Sequence, residues 1–369
     1  RFTRRYGRRR CRARGLVDDP PIQSGLERGL RVEFRGDGER GGPVAAGDSQ
    51  EGDHEEWEGA TDHVAASIVL EGSRTPRIMQ ILVTGATGYV GGRLVPRLLQ
   101  RGHHVRVFVR DPARVSSRPW GDQVEVFRGD MGDPASVRAA VEGMDAAFYL
   151  VHAMGHSEDF AATDRKWART FVSAAAGCES LRKTVYLGGL LPDVDEDRSR
   201  HLSSRAEVGE ILRAGTPTLE FRAGPVIGSG SASFEMVRYL TERLPAMVAP
   251  RWIRNRVQPV GIRNVLAYLC EGVEREDATG VVEIGADQLS FRDMMLQYAE
   301  VRGLKRIIVP VPILAPRLAG RWVGLVTPIT NAVAVPLVEG IVHPVVADTA
   351  RARELFPDVE PMTYREAVG

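Results

Sequence analysis

The chain has 369 residues, 43% apolar and 26% charged, enough for one large α/β domain or two modest ones. A formal net charge of +1 gives the whole molecule no bias toward nucleic acid, and no run of about 18 uninterrupted apolar residues offers a membrane span. Cys11, Cys178 and Cys270 have neither disulfide nor zinc spacing, so no metal site is expected and a reducing, cytoplasmic compartment is.

Residues 1–77 are rich in Gly, Arg, Asp and Glu and show little apolar periodicity. The opening stretch RFTRRYGRRRCRAR is strongly basic, whereas residues 48–62 are mostly acidic. Such a segment buries too little apolar surface to offset the entropy of ordering it. The chain opens with Arg, and Met79 stands one residue before the first convincing strand. We therefore take Met79 as the native start and residues 1–78 as a disordered or non-native extension. An Arg-rich transit peptide and a basic arm that contacts nucleic acid or membrane are the rival readings.

From residue 80 strands and helices alternate. Residues 80–84 form a short apolar strand, and 89–101 read as a helix with Val90, Leu94 and Leu98 on one face. Pro96 inside that helix normally costs about 3 kcal/mol, but Gly92, four residues earlier, leaves room for the ring. Strands follow at 105–109, 124–127, 146–151, 184–187 and 218–221, separated by helices at 134–142, 164–176 and 203–214. The alternation predicts an α/β fold, a Rossmann-type doubly wound parallel sheet covered on both faces.

Beyond Gly224 the pattern loosens. Helices are predicted at 233–244, 262–273 and 291–301, a strand near 281–284, and a last helix begins at 364. Residues 307–346 are apolar but broken by Pro310, Pro312, Pro316, Pro328, Pro336 and Pro344. They read as short helices of a smaller C-terminal helical cap, used for core packing, for an apolar substrate pocket or for contact with a membrane surface. Residues 79–225 thus form the sheet core. Residues 226–369 return one strand to it and supply the cap.

Between the first strand and helix lies Thr84-Gly-Ala-Thr-Gly-Tyr-Val-Gly91. In this context Gly85 turns the backbone sharply, Gly88 lets the main chain approach a pyrophosphate, and Gly91 lets the helix pack close to the strands. Thr87 belongs to the same cradle, and the amides of Tyr89 and Val90 face the phosphates at the positive helix end. The second strand ends in Val109 and Arg110, with Asp111 next and Arg114 close behind. A guanidinium here suits a 2′-phosphate and a carboxylate a 2′-hydroxyl, so NADP(H) is favoured over NAD(H). Asp130 and Met131 follow the third strand, where a carboxylate accepts from the adenine amino group; an ordinary turn residue is the alternative for Asp130. His152 closes the fourth strand, beside the expected place of the nicotinamide.

These residues, with Gln258-Pro-Val260 leading into the helix at Ile262 and Val282–Gly285 followed by the helix at Phe291, resemble a short-chain dehydrogenase/reductase. The similarity covers about residues 79–369 and is greatest to atypical, NmrA-like and complex-I-accessory-subunit-like members. It implies an extended-type architecture, with the cofactor on the sheet and substrate under the C-terminal cap. Active members carry a Ser after the fifth strand, a Tyr about thirteen residues on that donates a proton, and a Lys four later that lowers its pKa. At that spacing this chain has Gly188, His201 and Arg205. Arg205 is a poor acid but suited to ribose hydroxyls. For His201 three roles stay open: general acid, cofactor or substrate contact, and plain surface. Tyr186, Ser203 and Ser204 are substitute hydroxyls. The resemblance implies an NADPH-dependent reductase of a small or apolar organic acceptor. A non-catalytic redox sensor or assembly factor with a regulatory protein partner is the alternative, and an epimerase or dehydratase that recycles its cofactor is a third.

Overall fold

The computed structural model describes residues 77–153, 159–193, 198–312 and 315–369, and the expectations for residues 1–76 lie outside them. The chain alternates β1 (Gln80–Thr84), α1 (Gly91–Gln100), β2 (His104–Val109), α2 (Ala113–Ser116), β3 (Glu125–Arg128), α3 (Pro134–Val141), β4 (Ala146–Tyr149), α4 (Phe160–Ala175), β5 (Lys183–Gly189), α5 (Arg200–Gly215) and β6 (Thr218–Ala223). It continues through β7 (Val226–Ile227), α6 (Ala232–Arg243), β8 (Ala246–Pro250), β9 (Arg256–Val257), β10 (Val260–Gly261) and α7 (Ile262–Glu274) to β11 (Gly280–Ile284). The remainder is β12 (Leu289–Ser290), α8 (Phe291–Val301), β13 (Ile307–Val311), α9 (Pro316–Val326), α10 (Asn331–Glu339), α11 (Ala350–Leu355) and α12 (Tyr364–Val368).

Seven strands form the main sheet in the order β11-β6-β5-β4-β1-β2-β3, and every neighbouring pair is parallel. Alternation along β1 shows why both faces are covered. Ile81 and Val83 pack with Leu94, Leu98, Val265 and Leu269 from α1 and α7, whereas Leu82 packs on the other face with Val137, Phe171 and Leu212 from α3, α4 and α5. Strand β4 is buried at every position, as a sheet sandwiched between helices requires. The strand order reverses between β1 and β4, so a crevice opens there at the carboxyl ends of the strands.

Helix α1 runs unbroken through Pro96. Proline cannot donate to the carbonyl four residues back, which here belongs to Gly92. That carbonyl instead accepts the indole N–H of the buried Trp120, at 3.2 Å. A side chain distant in sequence thus replaces the missing helical bond.

A separate apolar cluster, including Met236, Leu240, Met247, Phe291, Met295, Val323 and Val338, forms the core of the cap. The expectation of helices alone over 307–346 needs correction. The stretch opens with strand β13, which pairs in parallel with β8 and carries Pro310, before α9 and α10 pack on each other. In a two-stranded sheet each strand has a free edge, so a proline is tolerated there.

Candidate functional site

The glycine loop lies at the reversal point. Gly85 has φ of +73°, and a Cβ there would stand 2.6 Å from the Leu150 carbonyl oxygen, so only glycine lets the loop pass the end of β4. A Cβ at Gly91 would strike the Gly85 carbonyl, which fixes how closely α1 sits on the loop. The Gly88 amide donates to the Gly85 carbonyl at 2.9 Å, and Arg118 donates to the Thr87 carbonyl at 3.1 Å. Among the described residues the main-chain N–H groups of Tyr89 and Val90 meet no protein acceptor. Free amides at the start of a helix suit an anion.

A cleft of about 530 Å³ runs from this loop across the ends of β2, β3 and β4. It brings together Gly85, Thr87, Gly88, Arg110, Asp130, Met131 and His152, residues spread over more than sixty positions of sequence. Two lining residues, Arg114 and Trp167, extend the set; Arg114 was noted in the sequence, while Trp167 reaches the cleft only because α4 packs beside β4. The Arg110 and Arg114 guanidinium groups have no hydrogen-bond or ion-pair partner among the described residues. Asp111 accepts from the Ala113 amide at 3.1 Å, and Asp130 accepts from the Gly132 amide at 2.7 Å, so each carboxylate already braces a turn.

A second cavity of about 280 Å³ lies beyond His152, which lines both spaces. Here Tyr89 and Val90 face Gly188, His201 and Arg205. The helical spacing of His201 and Arg205 on α5 puts both on the cavity side. Burial pushes the His201 imidazole down to about 3, and the Arg205 charge and His152 push in the same direction. Its ring is therefore neutral at physiological pH. The substitute hydroxyls do not line this cavity: Tyr186 donates to the Arg205 carbonyl at 3.1 Å, Ser204 donates to Asp164 at 3.1 Å, and Ser203 is exposed.

Asp164 is the residue that sequence reasoning passed over. Buried on α4, it accepts the Ala153 amide at 2.7 Å and the Ser204 hydroxyl, tying the segment after His152 to the helix that carries His201 and Arg205. Burial raises its carboxyl above the ordinary range, although both hydrogen bonds and Arg205 oppose the rise. As the first residue of a predicted helix, Asp164 reads as an ordinary cap and carries no local signal of this. Among the described residues no group of three His, Cys, Asp or Glu could hold a metal ion, and no helix is long and apolar enough to cross a membrane.

A family model described as NAD(P)H-binding matches residues 85–216. Residues 85–216 are thus an NAD(P)H-binding domain. Over 156 residues the chain is 33% identical to the 3 beta-hydroxysteroid dehydrogenase/Delta 5→4-isomerase of Mycobacterium tuberculosis, covering 41% of this chain and 39% of that protein. The chain thus matches about two fifths of the length of that relative. It is 26% identical over 266 residues to the ceramide reductase of Caulobacter vibrioides, covering 69% of this chain and 80% of that one. The fold is shared with the triphenylmethane reductase of Citrobacter sp. in complex with NADP(H), at a TM-score of 0.60 and 21% identity over 78% of this chain and 98% of that one.

Gly188 stands at the spacing where the short-chain dehydrogenases/reductases that the sequence resembles carry serine, and its surroundings are crowded. A Cβ at Gly188 would lie 3.0 Å from the carboxylate of Glu220, which is buried and ion-paired with Arg222 at 2.8 Å and with Arg213. The same carboxylate fills the space beside Gly209 on α5. A buried charge held by two guanidinium groups is costly to displace, so the carboxylate crowds any side chain at position 188 and would have to give by a few tenths of an ångström to admit one.

Proposed function

We propose that this protein is an NADP(H)-dependent reductase of an organic acceptor, with His201 and Arg205 at the reacting end of the cofactor. The observation that carries this reading is the junction at His152, where the NAD(P)H-binding cleft passes into a cavity walled by Tyr89, His201 and Arg205. The free amides at Tyr89 and Val90 and the tight Gly85 turn fit a dinucleotide pyrophosphate. Arg110 and Arg114, unpaired at the end of β2, are suited to a 2′-phosphate, while Asp111 is occupied by the Ala113 amide. Asp130, its one oxygen on Gly132, keeps the other for the adenine amino group.

A bound nicotinamide supplies a hydride. The chain's own part is to hold the acceptor and its developing negative charge. A neutral His201 N–H donates a hydrogen bond to that oxygen, and the Arg205 guanidinium, fixed in charge, stabilises it or grips the ribose hydroxyls. Neither is a strong proton donor at neutral pH, so acceptors that need little acid assistance, such as quinones and activated alkenes, suit the site better than simple alcohol–ketone exchange. Two of the relatives named above are themselves called reductases, which supports the same reaction class.

Single-turnover NADPH oxidation against a panel of quinones, enones and ketones tests the proposal. Consumption with at least one acceptor is expected. Silence across the panel, with NADPH tightly bound, overturns it in favour of the second reading, a redox sensor, which the missing Ser, Tyr and Lys favour. That reading in turn requires NADP⁺ and NADPH to bind with different affinities.

A further inference from the structure

The cap holds a third cavity, of about 540 Å³, between α6, β8, α8, α9 and α10. Its volume lies within the range of about 300–1,000 Å³ usual for ligand sites. Leu240, Met247, Met295, Ala319, Val323 and Val338 typify its wall, and among the described residues no charged side chain lines it. Among the described residues, the indoles of Trp252 and Trp322 provide its only side-chain N–H groups. Water against such a wall finds few partners, and an apolar occupant releases it.

The chamber adjoins the reacting end. Met236, Phe291 and Ile341 line both it and the cavity of His201 and Arg205, so the two spaces meet at these three side chains. The arrangement is polarised. Toward His152 lie an imidazole and a guanidinium, and away from it every contact is hydrocarbon, thioether or aromatic. At the far side Leu318 and Trp322 line the chamber and are also 57% and 39% exposed, so its outer mouth is apolar as well.

We propose that the ligand of this cap is an amphiphile with a long apolar tail, its reducible polar head beside His201 and Arg205 and its tail passing Met236, Phe291 and Ile341 into the chamber. The inference rests on the reductase reading for the placing of the head, and on the chamber alone for the tail. Binding energy then grows with each methylene buried and levels off once the tail reaches the open mouth at Leu318 and Trp322. Ala319, on α9, is the position from which a larger side chain fills the chamber without touching the cofactor cleft.

Intrinsic fluorescence of the full chain, reported by Trp252 and Trp322 in the chamber wall, measures this directly. The protein is titrated with hexan-2-one, octan-2-one, decan-2-one and dodecan-2-one, with and without NADP⁺. Affinity is expected to rise about three- to fourfold for each added methylene before levelling off. Ala319→Phe and, independently, Val338→Phe should flatten the series while calorimetric NADP⁺ affinity stays as in the parent chain. Affinity that ignores tail length in the parent chain, or a tail dependence that survives both substitutions, overturns the proposal. A steep tail dependence with no turnover of any acceptor keeps the chamber and removes the reductase reading, whereas turnover without tail dependence does the reverse.

Discussion

At the turn between β1 and α1, the groups proposed to hold a dinucleotide are main-chain amides and glycines packed into one short stretch of sequence. At the His201 cavity they are side chains drawn from the loop, from the end of β4, from α5, from α6 and α8, and from the cap. The first end depends on backbone conformation, which glycine sets residue by residue. The second depends on where whole elements come to rest. A substitution at the loop therefore acts by changing what the backbone can adopt, and one at the cavity by changing what the walls present. Function at the two ends should accordingly fail in different ways.

The largest effect is expected at the loop. Gly85→Ala forces a side chain into a positive-φ position and against the Leu150 carbonyl. It should abolish NADP(H) binding measured by calorimetry and cost on the order of 1–3 kcal/mol of stability. Undiminished affinity would mean that the cofactor does not depend on this turn. An intermediate effect is expected after β2, where the proposed preference for NADP(H) would arise. Replacing Arg110 and Arg114 together by Ala should weaken NADPH about ten- to a hundredfold, the loss of one charge-assisted contact, and leave NADH nearly unchanged. Equal weakening of both would show that these guanidinium groups do not meet a 2′-phosphate.

At neutral pH the smallest effect belongs to the cavity, where it emerges only as the pH falls. The folded state holds His201 near 3, while the unfolded chain titrates it near 6.5, so as pH falls below about 6.5 only the unfolded state gains that proton. Stability is then lost as pH drops from about 6.5 toward about 3, by up to about 1.4 kcal/mol per pH unit from this group. Urea melts of the parent chain and of His201→Gln should diverge over that window, with the variant losing less. Parallel curves would place a charged imidazole at this site and restore His201 as a general acid.

Much of the sheet was legible because its signals are local. Near-continuous apolar runs such as those of β4 and β5 announce strands buried on both faces, and the glycines at 85, 88 and 91 announce the turn between the first strand and helix. Pro96 inside α1 was anticipated as tolerable because of Gly92, but the indole of Trp120 that satisfies the Gly92 carbonyl was not, since nothing in either local sequence points to the other. The cap was read least well. Strands β7, β9, β10 and β12 are only two residues long, too short for any periodicity, and β13 hid behind a proline that an edge strand permits.

By itself, then, the sequence determined the alternation of strands and helices, the glycine turn between β1 and α1 and the helical pairing of His201 with Arg205, because each is encoded by residues within one or two turns of chain. Tertiary structure alone decided that Asp164 ties His152's segment to α5, that Glu220 crowds position 188, and that Met236, Phe291 and Ile341 line two cavities at once. Those relations join side chains from elements far apart in the chain. Burial, exclusion of volume and shared walls arise only once the elements have packed, so no stretch of sequence contains them.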